Sequence, residues 1–188
     1  CACALVIENR LFTASVGDSR IYLLSGDTIQ QRTTDHTWSQ EALDAGVLTA
    51  EEARNHPNTH VIRRYLGSMQ PVEADLHLRL SPNETDEQTL GNQGVILQPG
   101  DQVILCSDGL TDLVGAQEIL PLVKSQEQEA ALQALTSLAN QRGGHDNITI
   151  IALQMPVSIE ETAPTRVLRR PISSRRRRSS RRTRPSWG

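Results

Sequence analysis

The chain has 188 residues, a length that allows one domain with a sizeable core and a tail. No apolar run approaches the roughly 20 residues of a membrane-spanning helix, so the sequence predicts none. The net charge of -3 conceals a segregation, because residues 1–161 carry 22 acidic and 9 basic side chains whereas residues 162–188 carry ten arginines and no acid. The body of the chain is therefore acidic and its tail strongly basic.

The first part of the chain predicts four short strands. Apolar and β-branched residues recur with a period of two, and turn residues separate the strands pairwise. The predicted strands are residues 3–8, 11–16, 20–24 and 28–32. Because they follow one another closely, we expect an antiparallel meander.

Two short helices are predicted next, at residues 37–46 and 49–56. The second begins with a capping box, in which the side chains of Thr49 and Glu52 satisfy backbone N–H groups reciprocally. This segment is a small helical insertion between strands.

The rest of the body predicts a mixture of elements. In chain order they are a strand at 72–80, an exposed polar loop at 81–93, a buried strand at 103–106, helices at 115–124 and 126–142, and a strand at 147–155. Strands in runs, followed by helices and a last strand, indicate an α+β layer fold and not an alternating parallel one.

Three aspartates stand at glycine-containing breaks beside apolar strands. Asp18 precedes one strand, Asp108 follows another, and Asp146 precedes a third. Taken singly, each is typical of a turn or a helix cap. Together they suit Mg²⁺ or Mn²⁺, hard cations that prefer oxygen ligands from separate elements. The short Cys and His spacings of a structural zinc site are missing.

Five stretches resemble, in content, order and spacing, the carboxy-terminal half to two-thirds of a bacterial metal-dependent protein phosphatase of type 2C (PPM-type). They are VGDSRIYLL, TTDHTW, ALDAGVLTAEEARNHPNTHVIRRYLG, LQPGDQVILCSDGLTDLV and GGHDNITII. The resemblance implies a partial catalytic domain at residues 1–155, built as a sandwich of two antiparallel β-sheets with flanking helices and incomplete at its N-terminus. It also implies a flap at about residues 37–67, beside the cleft, that affects substrate access.

The chemistry that the resemblance implies is hydrolysis of phosphoserine and phosphothreonine in proteins by a metal-activated water. Two core Mn²⁺ or Mg²⁺ ions would serve it, with a third ion in many bacterial members. By motif match, Asp108 and Asp146 would ligate one core ion, and Asp18 with Asp108 would hold the third. Gly109 and Asn147 would support these ligands, and no catalytic residue beyond the metal ligands is expected in this chain.

Several family motifs have no counterpart here. They carry the phosphate-contacting arginine, the aspartate that bridges both core ions and the histidine proposed as general acid. No Asp-Gly-x-Gly-Gly occurs, and the first residue is Cys1 and not Met. We therefore expect a fragment that is inactive alone and exposes apolar surface. The alternative is a catalytically silent, phosphatase-like regulatory module that binds phosphoproteins.

Other residues near these motifs are predicted to have structural or solvated roles and not catalytic ones. His145, although it precedes Asp146, is predicted to be a solvated loop residue. Asp35 and His36 are predicted to be structural, and Trp38 to pack within the flap. Asn147 is predicted to orient the Asp146 loop by hydrogen bonding.

Residues 156–188 predict a disordered Arg-rich tail. Arginine runs bind polyanions, but Trp187 is the only aromatic residue there, so nucleic acid is not favoured. A juxtamembrane segment that contacts anionic lipid and a plain solvated linker both remain open. We expect a cytoplasmic monomer, or one anchored through a C-terminal helix outside this sequence, that acts on phosphorylated proteins including a Ser/Thr kinase.

Overall fold

The computed structural model describes residues 1–69 and 71–157, so the predicted tail lies outside the described residues from position 158 onward. The strands are β1 Ala2–Ile7, β2 Arg10–Ser15, β3 Arg20–Ser25, β4 Thr28–Gln31, β5 Val95–Ile96, β6 Gln102–Cys106 and β7 Ile150–Gln154. The helices are α1 Trp38–Asp44, α2 Ala50–Asn55, α3 Asp86–Gly91, α4 Asp108–Thr111, α5 Ala116–Ser125 and α6 Gln128–Gln141. Among the helices of this part of the chain, none is long and apolar enough to cross a bilayer.

The strands form two antiparallel sheets, which we call sheet A and sheet B. Sheet A has the order β1-β2-β5, and sheet B has the order β4-β3-β6-β7. In sheet B, Ile104 lies opposite Tyr22 on one side and Ala152 on the other, so β6 is an interior strand. The predicted α+β class with two antiparallel sheets is confirmed.

The predicted single meander is wrong, because the four N-terminal strands form two hairpins on different sheets. The β1–β2 hairpin belongs to sheet A and the β3–β4 hairpin to sheet B. Leu11 of β2 and Ile21 and Leu23 of β3 are buried in the same apolar cluster. Burying these side chains against each other requires β3 to stack on β2 and not to pair with it.

Two apolar layers surround sheet B. Ile21 and Leu23 belong to the cluster shared with sheet A, whereas Tyr22 and Leu24 belong to a second cluster that contains buried residues of α5 and α6. Since successive side chains of a strand point to opposite faces, β3 is buried on both sides. This double burial explains why its sequence is a continuous apolar run.

Among residues 1–69 and 71–157, sheet A is covered on one face only. Ala2, Ala4 and Val6 of β1 pack towards sheet B. On the opposite face of the same strand Leu5 and Ile7 are 58% and 53% exposed. The predicted exposure of apolar surface is therefore confirmed, and it lies on the outer face of sheet A.

The strand predicted at residues 72–80 is wrong. Asp75 forms one isolated antiparallel bridge with Ser15. Farther along, the Leu78 N–H donates to the Thr89 carbonyl, and the Arg79 N–H donates to the carbonyl of Arg32. Because these hydrogen bonds go to three different segments, the stretch has no single partner strand with which to form a ladder.

The loop predicted at residues 81–93 contains a helix, α3. Its first turn is closed by a capping box between Thr85 and Gln88, in which each side chain accepts an N–H of the other residue's backbone. The same Thr-x-x-Gln spacing is visible in the sequence, and the capping box at Thr49 and Glu52 is also present. The polar composition of the segment concealed this helix, since only Thr89 of α3 is fully buried.

Candidate active-site cleft

A cleft of about 260 Å³ lies between the flap and the ends of two buried strands of sheet B. One wall comes from the residues around the start of β3 and from α4, and the other from α1, α2 and the turn that follows α2. Four carboxylates line the cleft: Asp18, Asp35, Asp108 and Asp112. Two of them, Asp18 and Asp108, are predicted metal ligands.

Asp108 is presented by the end of β6. The strand is buried up to Cys106, and Asp108 is the first residue of α4, where its Oδ1 accepts the Gly109 N–H at 2.9 Å. A Cβ atom on Gly109 would lie 2.5 Å from the carbonyl oxygen of Asn147. Glycine is therefore required for the loop that contains Asp146 to approach α4 this closely.

Asp18 lies in the turn between sheets A and B. Gly17 adopts a φ of +100°, which a residue with a side chain rarely tolerates, and this conformation turns the chain towards β3. Burial raises the pKa of Asp18, and the neighbouring charge of Asp108 raises it further. The two carboxylates are thus near enough to repel each other across the cleft.

Asp146 takes a different position from the other two aspartates. It is exposed, lies in the loop between α6 and β7, and does not contribute to the lining of the cleft. Its Oδ1 accepts the Asn147 N–H at 2.6 Å, and the Asn147 carbonyl accepts the Ser107 hydroxyl at 2.8 Å. Asn147 therefore orients the loop through its backbone and connects Asp146 to the residue before Asp108.

The cleft offers oxygen atoms, the type of ligand that a hard cation prefers, but too few of them for two ions. Asp18 and Asp108 supply oxygen donors whose repulsion a cation would relieve. The Thr111 hydroxyl, which lines the same cleft, is buried and lacks a hydrogen-bond partner within the described part of the chain. Over residues 1–69 and 71–157, however, no three His, Cys, Asp or Glu side chains converge as a metal-binding group. These residues fit one partial cation site and not a complete two-ion centre.

Arg20 and Asp35 form an ion pair beside the candidate ligands. The guanidinium donates to both Asp35 oxygens, with the shortest contact, Nη2 to Oδ2, at 2.6 Å. Burial tends to lower the pKa of Arg20, but the hydrogen bonds and charge of Asp35 outweigh burial and raise it. The structural role predicted for Asp35 agrees with this pairing. Arg20 itself was not among the predicted site residues.

A buried histidine links the Asp18 turn to residue 75. The Gly17 N–H donates to Nδ1 of His36 at 3.0 Å, so the ring proton sits on Nε2, which donates to Asp75 Oδ2 at 3.0 Å. His77 donates to Asp75 Oδ1 through its backbone N–H and its ring. Burial would raise the pKa of Asp75, but these hydrogen bonds outweigh it and lower the pKa well below its usual value. The structural interpretation of His36 therefore agrees with its surroundings.

Two other aromatic positions agree with their predicted roles. His145 is exposed in the loop that contains Asp146. Within the flap the Trp38 and His56 ring centroids lie 4.4 Å apart, with the ring planes tilted by 30°. The stacking connects α1 to the end of α2 and makes Trp38 a packing residue of the flap.

Comparison with known proteins identifies the family. The Protein phosphatase 2C family model matches residues 1–42. Protein phosphatase PhpP of Streptococcus pneumoniae is 36% identical to this chain over 151 residues, which are 80% of the chain and 55% of that protein. The chain belongs to the type 2C protein phosphatase family.

Solved structures of bacterial serine/threonine phosphatases support this family assignment. The Mycobacterium tuberculosis serine/threonine phosphatase PstP/Ppp superposes with a TM-score of 0.68 at 34% identity, over 81% of this chain and 58% of that one. A structure of the PstP catalytic domain in complex with two manganese ions superposes with a TM-score of 0.63 at 33% identity, over 81% and 56% of the two chains. The chain spans about half the length of the curated relatives it matches.

Proposed function

We propose that this chain carries part of the active site of a metal-dependent protein serine/threonine phosphatase, which hydrolyses phosphoserine and phosphothreonine. The observation that carries the proposal is that Asp18 and Asp108 line one cleft together with residues of the flap, and that the charge of Asp108 raises the pKa of Asp18. Family membership supports it, since the family's relatives are bacterial protein phosphatases. Phosphorylated proteins, a Ser/Thr kinase among them, are the proposed substrates.

The proposed ligand set follows the positions of the three aspartates. Asp108 would serve two ions, one with Asp146 and one with Asp18. When bound, Mn²⁺ or Mg²⁺ supplies an activated water and neutralises charge on the phosphoryl group. Gly109 and the backbone of Asn147 would set the separation between the Asp108 and Asp146 segments.

The surrounding residues would hold this arrangement and restrict water. Arg20 neutralises Asp35, so the second carboxylate beside Asp18 does not add uncompensated charge. On the flap side Leu43, Ala50 and Ala53 line the cleft with apolar groups. A phosphorylated side chain that enters the cleft would thus be partly shielded from solvent.

We also propose that the 188 residues alone bind metal weakly and do not turn over substrate. The described residues bring two of the three predicted ligands, Asp18 and Asp108, into the lining of the cleft, whereas Asp146 is not part of that lining. A silent phosphoprotein-binding module is the second candidate, and the incomplete ligand set favours it. Membrane attachment through the Arg-rich tail remains a prediction on residues that the structure does not describe.

The test uses the protein as the gene encodes it, with a phosphothreonine peptide and Mn²⁺. We expect release of inorganic phosphate, and we expect Asp108→Asn or Asp146→Asn to reduce it to background because each removes a charged ligand. Asp27→Asn, at an exposed position outside the lining of the cleft, is the matched control and should retain activity. Phosphate release that survives excess chelator would contradict the proposal, and tight peptide binding without turnover would favour the silent module.

A further inference from the structure

The three basic side chains that line the cleft differ in how far their charge is neutralised. Arg20 is occupied by its bidentate contact with Asp35. Within the described part of the chain the His60 side chain has one partner, Asp112, with Nδ1 at 3.2 Å from Oδ2, and it is 69% exposed. The Arg54 side chain makes no hydrogen bond or ion pair with any other residue that the structure describes. The basic side chains that remain available, Arg54 and His60, both belong to the flap.

A hydrogen-bonded framework fixes both residues on the flap wall. Arg54 lies in the last turn of α2, and His60 lies in the turn that follows. Between them, the Thr59 hydroxyl donates to the Ala53 carbonyl at 2.7 Å, and the Thr59 carbonyl accepts the Ser39 hydroxyl at 3.0 Å. The turn is thus bonded to both flap helices, which places Arg54 and His60 on the same side of the cleft.

The two walls of the cleft carry opposite charge. The wall around Asp18 and Asp108 is acidic, whereas the flap wall has the Arg54 guanidinium, the His60 ring and no carboxylate in the lining. An anion that enters without a metal is repelled by the first wall and attracted by the second. It would also compete with Asp112 for the ring of His60.

We propose that Arg54 and His60 form an anion-binding subsite on the flap wall, which holds a negatively charged group of the phosphopeptide substrate. The inference rests on the proposed phosphatase function. The anion can be the phosphoryl group that is removed or an acidic side chain beside the phosphorylated residue. Both are recognised by the same chemistry, and the choice of substrate separates them.

The experiment compares three substrates with the protein as the gene encodes it. They are p-nitrophenyl phosphate and two phosphothreonine peptides that differ only in having acidic or neutral flanking residues. The variants are Arg54→Gln and His60→Gln. The matched control is Arg63→Gln, which removes a flap arginine that is paired with Glu41 and lies outside the cleft.

If the subsite binds an acidic residue beside the phosphothreonine, each variant should raise KM for the acidic peptide about threefold with little change in kcat. The other two substrates should then be unaffected. If the subsite binds the phosphoryl group itself, each variant should lower kcat/KM for all three substrates by a similar factor. Either pattern supports the subsite. The proposal is overturned if Arg54→Gln and His60→Gln behave like Arg63→Gln with every substrate.

Failure of the proposed function is recognised separately. If the unaltered protein hydrolyses none of the substrates in Mn²⁺, the phosphatase proposal fails whatever the variants do. Fluorescence anisotropy of a labelled acidic phosphothreonine peptide then tests the subsite directly. Weaker binding by Arg54→Gln than by Arg63→Gln supports the subsite, and equal binding overturns it.

Discussion

The two sheets of this protein are packed differently, and the difference explains where the candidate ligands lie. The interior strands of sheet B are buried on both faces, between sheet A and the helices α5 and α6. Sheet A packs on one face and exposes Leu5, Ile7 and Ile96 on the other. Asp18 precedes β3 and Asp108 follows β6, so both depend on the doubly buried pair of strands.

The doubly buried strands of sheet B hold a charged cluster in place. Asp18 and Asp108 repel each other, and a mobile support would let them separate. The β3–β6 ladder prevents this, because Arg20 lies opposite Cys106 in register at the end where both aspartates occur. The cost of bringing the charges together is offset by apolar packing beneath them.

The largest predicted effect concerns the layer that covers sheet B. Leu135 is fully buried on α6, in the cluster that includes Tyr22 and Ile104. Leu135→Ala should lower the free energy of unfolding by about 3 kcal/mol, since it removes buried methyl groups and leaves a cavity. Urea denaturation followed by circular dichroism measures the loss. Gln133→Ala, at an exposed position of the same helix, is the control and should change little.

If Leu135→Ala costs less than about 1 kcal/mol, the helices are not the main support of sheet B, and the contrast between the two sheets disappears.

The next effect concerns the link between the two sheets. Asp75 is partly buried and accepts hydrogen bonds from His36 and His77, and His36 in turn accepts the N–H of Gly17. Asp75→Asn should destabilise the protein by about 2 kcal/mol at pH 7, because charge-assisted hydrogen bonds contribute that much. His77→Ala, which removes the more exposed partner, should cost less.

The same substitution has a defined pH dependence. The pKa of Asp75 is lower in the folded protein than its usual value near 3.9, so its contribution is fully present above about pH 4. It is lost as the pH falls through the folded pKa. The stability difference between the unaltered protein and Asp75→Asn should therefore shrink on acidification from pH 5 to pH 3. A constant difference would show that the carboxylate charge is not involved.

The sequence predicted sheet B better than the segments that join the sheets. β3 and β6 are continuous apolar runs because both faces are buried, and their boundaries were predicted within one residue. Residues 72–80 carry an alternating pattern but bond to several segments, which is a tertiary arrangement that periodicity does not encode.

The candidate site was likewise predicted only in part. The candidate ligands were predicted from strand ends and motif order, and of these Asp18 and Asp108 line the cleft whereas Asp146 does not. The Asp75 network could not be predicted, because Asp75 reaches His36 across 39 positions of sequence. The basic flap residues Arg54 and His60 were not predicted either, since an exposed arginine or histidine on a short helical insertion has no distinguishing local pattern.

The smallest predicted effect concerns the bare face of sheet A. Leu5 is more than half exposed, so Leu5→Ser should change the free energy of unfolding by less than about 0.5 kcal/mol. The same change should reduce self-association of the 188-residue chain, because it interrupts an exposed apolar patch on an edge strand. Light scattering coupled to size-exclusion chromatography at rising concentration measures this.

Val47→Ser is the matched control, since Val47 is 70% exposed but lies on the flap, away from the strand edge. It should leave self-association unchanged. If Leu5→Ser instead destabilises the chain by several kcal/mol, the outer face of sheet A is packed in solution, and both sheets are then buried on two sides. In that case the burial of sheet B on both faces would no longer explain why the candidate ligands lie at the ends of its strands.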